Sequence, residues 1–228
     1  MIPKIIHYCW LGGNPKPDSV KKCIESWSEK FPDYEICCWD ESIFDVNSVP
    51  YVREAMEAKK WAYAADYIRL EALYNYGGIY LDTDVEAIQK IDDWLQYDFI
   101  AGIEMRDASE FQLYVSPAVL GSKPHSFIIK TILSSYEGRN FKREDGTLNM
   151  TPLSSLITPQ LRGLGWERKD KMQVFQDVNA AVFPTDLISN PYNGKKDSTR
   201  LFHQCHRSWV PPTGKQKIQR FFNKLRNR

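Results

Sequence analysis

Surplus charge is the first thing missing from this chain. Its 228 residues carry 30 Lys and Arg against 29 Asp and Glu, a net +1, which excludes a nucleic-acid binder built on a general basic excess. A cysteine framework is missing too. Cys9, Cys23, Cys37, Cys38 and Cys205 are odd in number, scattered, and form no CxxC pair. That excludes a disulfide scaffold and a structural zinc site, and the expectation is free thiols in a reducing compartment. No stretch approaches the roughly 18 apolar residues of a membrane span, and the apolar run after Met1 is too short and interrupted for a signal peptide. A cytoplasmic protein is therefore expected. Internal repeats and low-complexity segments are absent. The hydrophobic fraction of 43% and charged fraction of 26% exclude disorder over the whole length.

What charge there is lies unevenly. Lys215, Lys217, Arg220, Lys224, Arg226 and Arg228 fall in a terminal segment that holds no acid, so residues 1–214 carry a net −5 and the tail +6. Pro211-Pro212-Thr213-Gly214 reads as a linker, so the expected organisation is a domain over 1–210 and a tail over 211–228. Within the tail, Ile218, Phe221, Phe222 and Leu225 recur at helical spacing among Lys and Arg. That is the pattern of a basic amphipathic helix on an anionic membrane surface, or of a terminal helix docked on protein.

Along the body, Ile5 to Trp10 reads as a buried strand ended by Gly12-Gly13. Asp18 offers an N-cap for a helix with Val20, Ile24, Trp27 and Phe31 on one face, and Pro32 stops it. Tyr34 to Trp39 is a second strand, which completes a βαβ unit. Tyr51 to Tyr76 is a helical region broken near Lys59-Lys60 and closed by Gly77-Gly78. Its second half repeats Tyr63, Tyr67, Leu70 and Tyr74 at steps of three and four. Ile79-Tyr80-Leu81, Phe99 to Ile103 and Tyr114 to Leu120 are further strands, and Pro124 to Tyr136 and Thr158 to Leu164 further helices. Val174 to Val182 fits either. The fold class expected is α/β, a mixed sheet with helices on both faces.

Chemistry concentrates at Asp82-Thr83-Asp84, which follows an apolar strand. Two carboxylates one residue apart share a face if the strand persists, and both can converge on one ion if the chain turns. Such pairs hold Mg²⁺ or Mn²⁺ well only when phosphate oxygens complete the shell. The C-terminal end of a strand is also where α/β sheets place ligands. Asp66 and Arg69, three apart on a helix, are either a surface ion pair or an arginine held ready for a phosphate or sugar. Trp10 is either core or a platform for a flat base. His203 and His206, three apart, are ordinary histidines or metal ligands.

In order along the chain, His7-Tyr8-Cys9-Trp10-Leu11-Gly12-Gly13, Ala65-Asp66-Tyr67-Ile68-Arg69 and Tyr74-Asn75-Tyr76-Gly77-Gly78-Ile79-Tyr80-Leu81-Asp82-Thr83-Asp84 resemble the DXD glycosyltransferases of family 32. The large clostridial glucosylating toxins are distant relatives of that family. The resemblance is close from Ile2 to about Leu95, patchy through the middle, and returns at Leu201 to Trp209. It implies a GT-A, Rossmann-like fold, with Trp10 stacked on the donor's base and Tyr80 beside the nucleotide. Asp66 and Arg69 would hold the donor sugar and the phosphate side, Asp82 would lie near the ribose and sugar, and Asp84 would ligate the metal. His203 would sit near metal and diphosphate, with Ser208 and Trp209 closing over the diphosphate.

The implied activity is a metal-dependent, retaining transfer of a hexose from a nucleotide sugar to a saccharide acceptor, using Mn²⁺ or Mg²⁺. A UDP-hexose is the first expectation and GDP-mannose the second. The acceptor would be a lipid-linked saccharide in cell-surface polysaccharide or capsule assembly, met at the inner face of the membrane. No residue reads as a covalent nucleophile, so front-face attack is expected. The chain departs from the family pattern at Gln204, at Thr158-Pro159, and at Ser116-Pro117, where an asparagine is common. His206 is off the pattern. Two rivals remain: a haloacid-dehalogenase-like phosphatase, which Ile79 to Val85 superficially matches, and a nucleotide-sugar-binding protein without catalysis.

Overall fold

Period-two alternation in the apolar runs divides the side chains between two cores, one on each face of a seven-stranded sheet. In β1 (Ile5–Cys9), Ile6 and Tyr8 enter one core and Cys9 the other. In β3 (Gly78–Leu81), Ile79 and Leu81 face one way and Tyr80 the other. The computed structural model describes residues 1–105 and 113–205. Its remaining large-sheet strands are β2 (Glu35–Trp39), β5 (Phe99–Met105), β6 (Leu113–Ser122), β7 (Gln173–Phe175) and β8 (Ala180–Phe183). The order is β2-β1-β3-β6-β5-β8-β7. β1 runs parallel to β2 and β3, while β6 is antiparallel to both β3 and β5. A smaller sheet joins β4 (Val85–Ala87), β10 (Leu201–His203) and β9 (Ile188–Ser189).

Among the described residues, five α-helices cover the large sheet. α1 (Asp18–Lys30) and the small sheet fill one face through Cys23, Trp27, Val85, Ile188 and Leu201. α2 (Pro50–Glu57), α3 (Trp61–Tyr76), α4 (Phe127–Ser134) and α5 (Ser154–Gly163) fill the other. The α/β expectation with helices on both faces holds. The break at Lys59-Lys60 is real, with Lys59 at φ +55° between α2 and α3. Two details differ, and one segment left open is now assigned. Pro17, not Asp18, is the N-cap of α1, so the Asp18 carboxylate acts on the helix N-terminus from the first turn. α5 begins earlier than expected and carries Pro159 inside it. Residues 174–182 resolve into β7, a 3₁₀ turn and β8.

α3 is not the one-sided helix its tyrosine stripe implied. It packs between the sheet and its neighbour helices, and Ala64, Ala65, Asp66, Ile68, Arg69, Leu70, Ala72 and Leu73 are all buried. The turn from α3 into β3 is locked by His7. The Trp39 indole N–H can only donate, so His7 Nδ1 accepts it at 3.0 Å and Nε2–H donates to the Gly77 carbonyl at 2.8 Å. Burial holds this imidazole below its ordinary pKa, as a neutral ring. At Gly78, with φ +97°, a Cβ would meet the Ile5 carbonyl at 2.6 Å.

Candidate active site

The chain leaves β1 through α1 to β2 on one side, and returns through α2 and α3 to β3 on the other. β1 and β3 therefore flank a topological switch point, where open sheets form a ligand crevice beyond their C-terminal ends. A cleft of about 970 Å³ opens there, lined by Trp10, Asp66, Arg69, Tyr80, Asp82, Asp84 and His203 among others. Every expected site residue within the described part of the chain reaches this one cleft. Ser208, Trp209, His206 and the basic tail lie outside the described residues.

Arg69 is the hub. Its guanidinium meets Asp66 at 2.9 Å and Asp82 at 3.1 Å, and donates to the Pro117 carbonyl at 2.7 Å. It lies 4.4 Å over the Tyr80 ring. The Asp66–Arg69 pair is no surface bridge, since the two side chains are only 13% and 5% exposed. One cation shared by two acids leaves a negative excess in a poorly solvated place. Burial pushes the Asp66 carboxyl up to about 7, and Asp82 adds to the rise while Arg69 opposes it. For Arg69, burial works against the charge, but the surrounding acids more than offset it and hold the guanidinium firmly cationic.

Strand β3 stops at Leu81, and the chain turns, with Val85 N–H donating to the Asp82 carbonyl at 2.9 Å. Of the two geometries open to Asp82-Thr83-Asp84, the convergent one is taken. α1 anchors the strand beyond the turn: Trp27 donates to the Val85 carbonyl at 2.7 Å and Ser26 accepts from Ala87 N–H at 2.9 Å. β10 pairs antiparallel with β4, and Gln204 N–H donates to the Asp84 carbonyl at 2.8 Å. This carries His203 Nε2 to 3.2 Å from the Asp84 carboxylate. Burial lowers the His203 pKa, but hydrogen bonds to Asp84 and Cys205 reverse that and hold it well above the ordinary value.

Among the described residues, ligand atoms of Asp82, Asp84 and His203 all lie within 4.8 Å of one another. Two carboxylates and an imidazole at that separation fit one divalent cation, and the mixed oxygen and nitrogen set suits Mn²⁺ better than Mg²⁺. All five cysteines are free, as expected.

Trp10 is half-buried at the cleft, its N–H bonded to the Asn14 carbonyl at 2.6 Å and the Lys16 ammonium 5.9 Å from its ring. It packs against the edge of the core beneath α1 and also lines the cleft. Tyr80 is only 2% exposed, with the Arg69 guanidinium over its ring. Gly12 makes room for Trp61, whose ring a Cβ at Gly12 would meet at 2.5 Å. Trp61 and Glu104 also line the cleft, although neither belongs to a motif of the sequence. Glu104 follows an apolar run just as Asp82 does, and that signal was available. Trp61 sits directly after the Lys59-Lys60 break.

Residues 17–100 match the family described as a glycosyltransferase sugar-binding region containing the DXD motif. Over those residues the chain is similar to this DXD glycosyltransferase family. Inositol phosphoceramide mannosyltransferase 2 of Schizosaccharomyces pombe is 31% identical over 141 residues, 60% of this chain and 39% of that protein. Mannosyl phosphorylinositol ceramide synthase SUR1 of Saccharomyces cerevisiae is 31% identical over 139 residues, 59% of this chain and 35% of that protein. The chain thus spans well under half the length of these relatives. In structure it is similar to the PaToxG glycosyltransferase, at TM-score 0.52 and 20% identity over 72% of this chain and 71% of that one. It is also similar to the galactosyltransferase LgtC, at TM-score 0.51 and 14% identity over 96% of this chain and 94% of that one. At such identities the likeness bears on the fold, which is GT-A as the resemblance implied.

Proposed function

We propose that this chain is a metal-dependent glycosyltransferase that moves a hexose from a nucleoside diphosphate sugar to a hydroxyl of a saccharide acceptor. The observation that carries this reading is the convergence of Asp82, Asp84 and His203 beside the buried Asp66–Arg69–Asp82 network at the switch point. A divalent cation held by Asp84 with His203 and Asp82, Mn²⁺ or Mg²⁺, would supply positive charge where the diphosphate leaves. Arg69 adds a fixed cation to the same cleft, positioned before the reaction by Asp66 and Tyr80. Trp10 offers a flat face to the base, and Tyr80 supports the guanidinium from below.

The reaction we assign breaks the bond between the anomeric carbon and the diphosphate oxygen. It forms a bond from the acceptor oxygen on the same face, with the acceptor's proton passing to the departing diphosphate. Configuration is retained without a covalent sugar on the protein. The names of the two yeast proteins favour mannose as the sugar and an inositol phosphoceramide lipid as the acceptor. GDP-mannose is therefore tested beside the UDP-hexoses, with a lipid-linked saccharide as the acceptor class. Work at a membrane face fits that acceptor.

The full chain is incubated with a panel of UDP- and GDP-hexoses and Mn²⁺, and separately with a chromogenic phosphate monoester and Mg²⁺. Release of nucleoside diphosphate from one donor is expected, with no hydrolysis of the ester. Turnover of the ester alone would favour the phosphatase. Donor binding without turnover on any acceptor would favour a non-catalytic binding protein.

A further inference from the structure

Beyond β10, Gln204 pins the chain from both sides. Its N–H donates to the Asp84 carbonyl at 2.8 Å, and its side chain reaches the Cys23 sulfur on α1 at 3.5 Å. Cys205 follows in the left-handed region, at φ +53°. A glycine would hold that conformation at least cost, and a side chain there is uncommon. The side chain that is kept turns back on the strand it has just left. Its sulfur lies 3.6 Å from His203 Nδ1, while His203 Nε2 lies 3.2 Å from the Asp84 carboxylate. The imidazole is therefore gripped at both nitrogens, one facing the cation site and one facing the thiol. Half-buried Cys205 also lines the cleft.

We propose that Cys205 is the positioning residue of His203: its sulfur accepts the Nδ1 proton and so turns the Nε2 lone pair toward the cation. This rests on the metal-dependent glycosyltransferase reading above. A neutral imidazole carries one proton, and a cation on Nε2 requires that proton to sit on Nδ1. The Nδ1–H then needs an acceptor, and Cys205 Sγ is the one that the described residues supply. Ligating imidazoles commonly have such a partner, which fixes both the ring and its tautomer. The usual partner is a carboxylate or a backbone carbonyl. Here another carboxylate would add negative charge to a cleft that already holds Asp66, Asp82 and Asp84, where the donor's diphosphate must enter. A thiol orients the ring without that charge.

The test uses the full chain as native protein, Cys205→Ala, Cys205→Ser and Cys205→Gly, with Cys205→Ala also placed on a His203→Ala background. Calorimetry measures the affinity for UDP and for GDP, once with Mn²⁺ and once with EDTA. The ratio of the two affinities gives the cation's contribution, and the EDTA value reports on the remainder of the site. Cys205→Ala is expected to lower the ratio about 10-fold, the lower end for loss of a partner behind a metal ligand, because a thiol is a weak acceptor. Cys205→Ser, whose hydroxyl also accepts, should keep most of the ratio. Cys205→Gly suits the backbone best and should not lower Tm, yet it should lose the ratio as Cys205→Ala does. That separates the sulfur from the turn. Without His203, Cys205→Ala should remove nothing further, since the two residues act as one unit.

The inference is overturned if Cys205→Ala leaves the ratio unchanged or raises it, if Cys205→Gly keeps the native ratio, or if the loss persists in full without His203. A raised ratio would mean that the thiol donates to Nδ1 and holds the proton on Nε2, against the cation. Should native protein bind both nucleoside diphosphates no better with Mn²⁺ than with EDTA, the cation assignment falls and takes this inference with it. Binding of neither UDP nor GDP under either condition would sink the glycosyltransferase reading itself.

Discussion

Arg69 shows what a single residue does in this cleft. It meets two carboxylates, two backbone carbonyls and an aromatic ring at once. Arg69→Lys keeps the charge but presents a point rather than a planar fork. It is expected to lower donor turnover at least about 10-fold and to cost about 1–3 kcal/mol of stability, read as a Tm loss of about 2–4 °C per kcal/mol. Asp66 gives a pH signature. Its carboxyl is raised from 3.8 to about 7, so between those values the folded chain holds a proton that the unfolded chain has lost. That carboxyl therefore removes stability as pH rises through the window. Asp66→Asn has no such proton, so its Tm relative to native should climb from pH 4 to pH 7 and then level off. A flat difference across that range would contradict the burial assigned to Asp66. The roles of Asp66 and Arg69 were open in the sequence because i,i+3 spacing shows only that they share a face. Whether that face meets water depends on Tyr80, Asp82 and Pro117, which cover it from the sheet and which the spacing does not report.

At the scale of elements, the site is made by turns and strand ends more than by regular structure. The Gly77-Gly78 turn sets the direction in which β3 delivers Asp82, and His7 clamps it. Gly78→Ala places a Cβ 2.6 Å from the Ile5 carbonyl at a positive φ, so a destabilisation above about 1 kcal/mol is expected. Thermal unfolding measures it, and an unchanged Tm would contradict the tight fit. The strands β1, β3 and β5 were legible because burial on both faces leaves a plain apolar run. β4 and β9, of three and two residues, were not, because so short a segment carries no period. Their pairing with β10 brings His203 to Asp84, a contact between residues more than a hundred positions apart. The break in register between β5 and β6, after Ala101, was equally hidden. Ser116-Pro117 stood out only as a departure from a pattern, and the bond from Arg69 to the Pro117 carbonyl needed α3 packed against β6.

For the whole molecule, the near-neutral total charge conceals an acidic body and a +6 tail. Among the described residues no helix is long and apolar enough to cross a membrane. We propose that residues 215–228 bring the cleft to an anionic surface where a lipid-linked acceptor lies. Flotation with anionic liposomes is expected for the full chain and lost when it ends at Gly214. Equal flotation of both would assign the tail to protein packing instead. The central claim, that Asp84 holds the cation on which donor cleavage depends, is tested by the initial rate of nucleotide-sugar hydrolysis at saturating Mn²⁺, native chain against Asp84→Asn. The account predicts a loss of at least about 100-fold, consistent with removal of a main electrostatic contribution to the transition state, and a matching loss when the native chain is stripped with EDTA. Hydrolysis by Asp84→Asn at the native rate would contradict it.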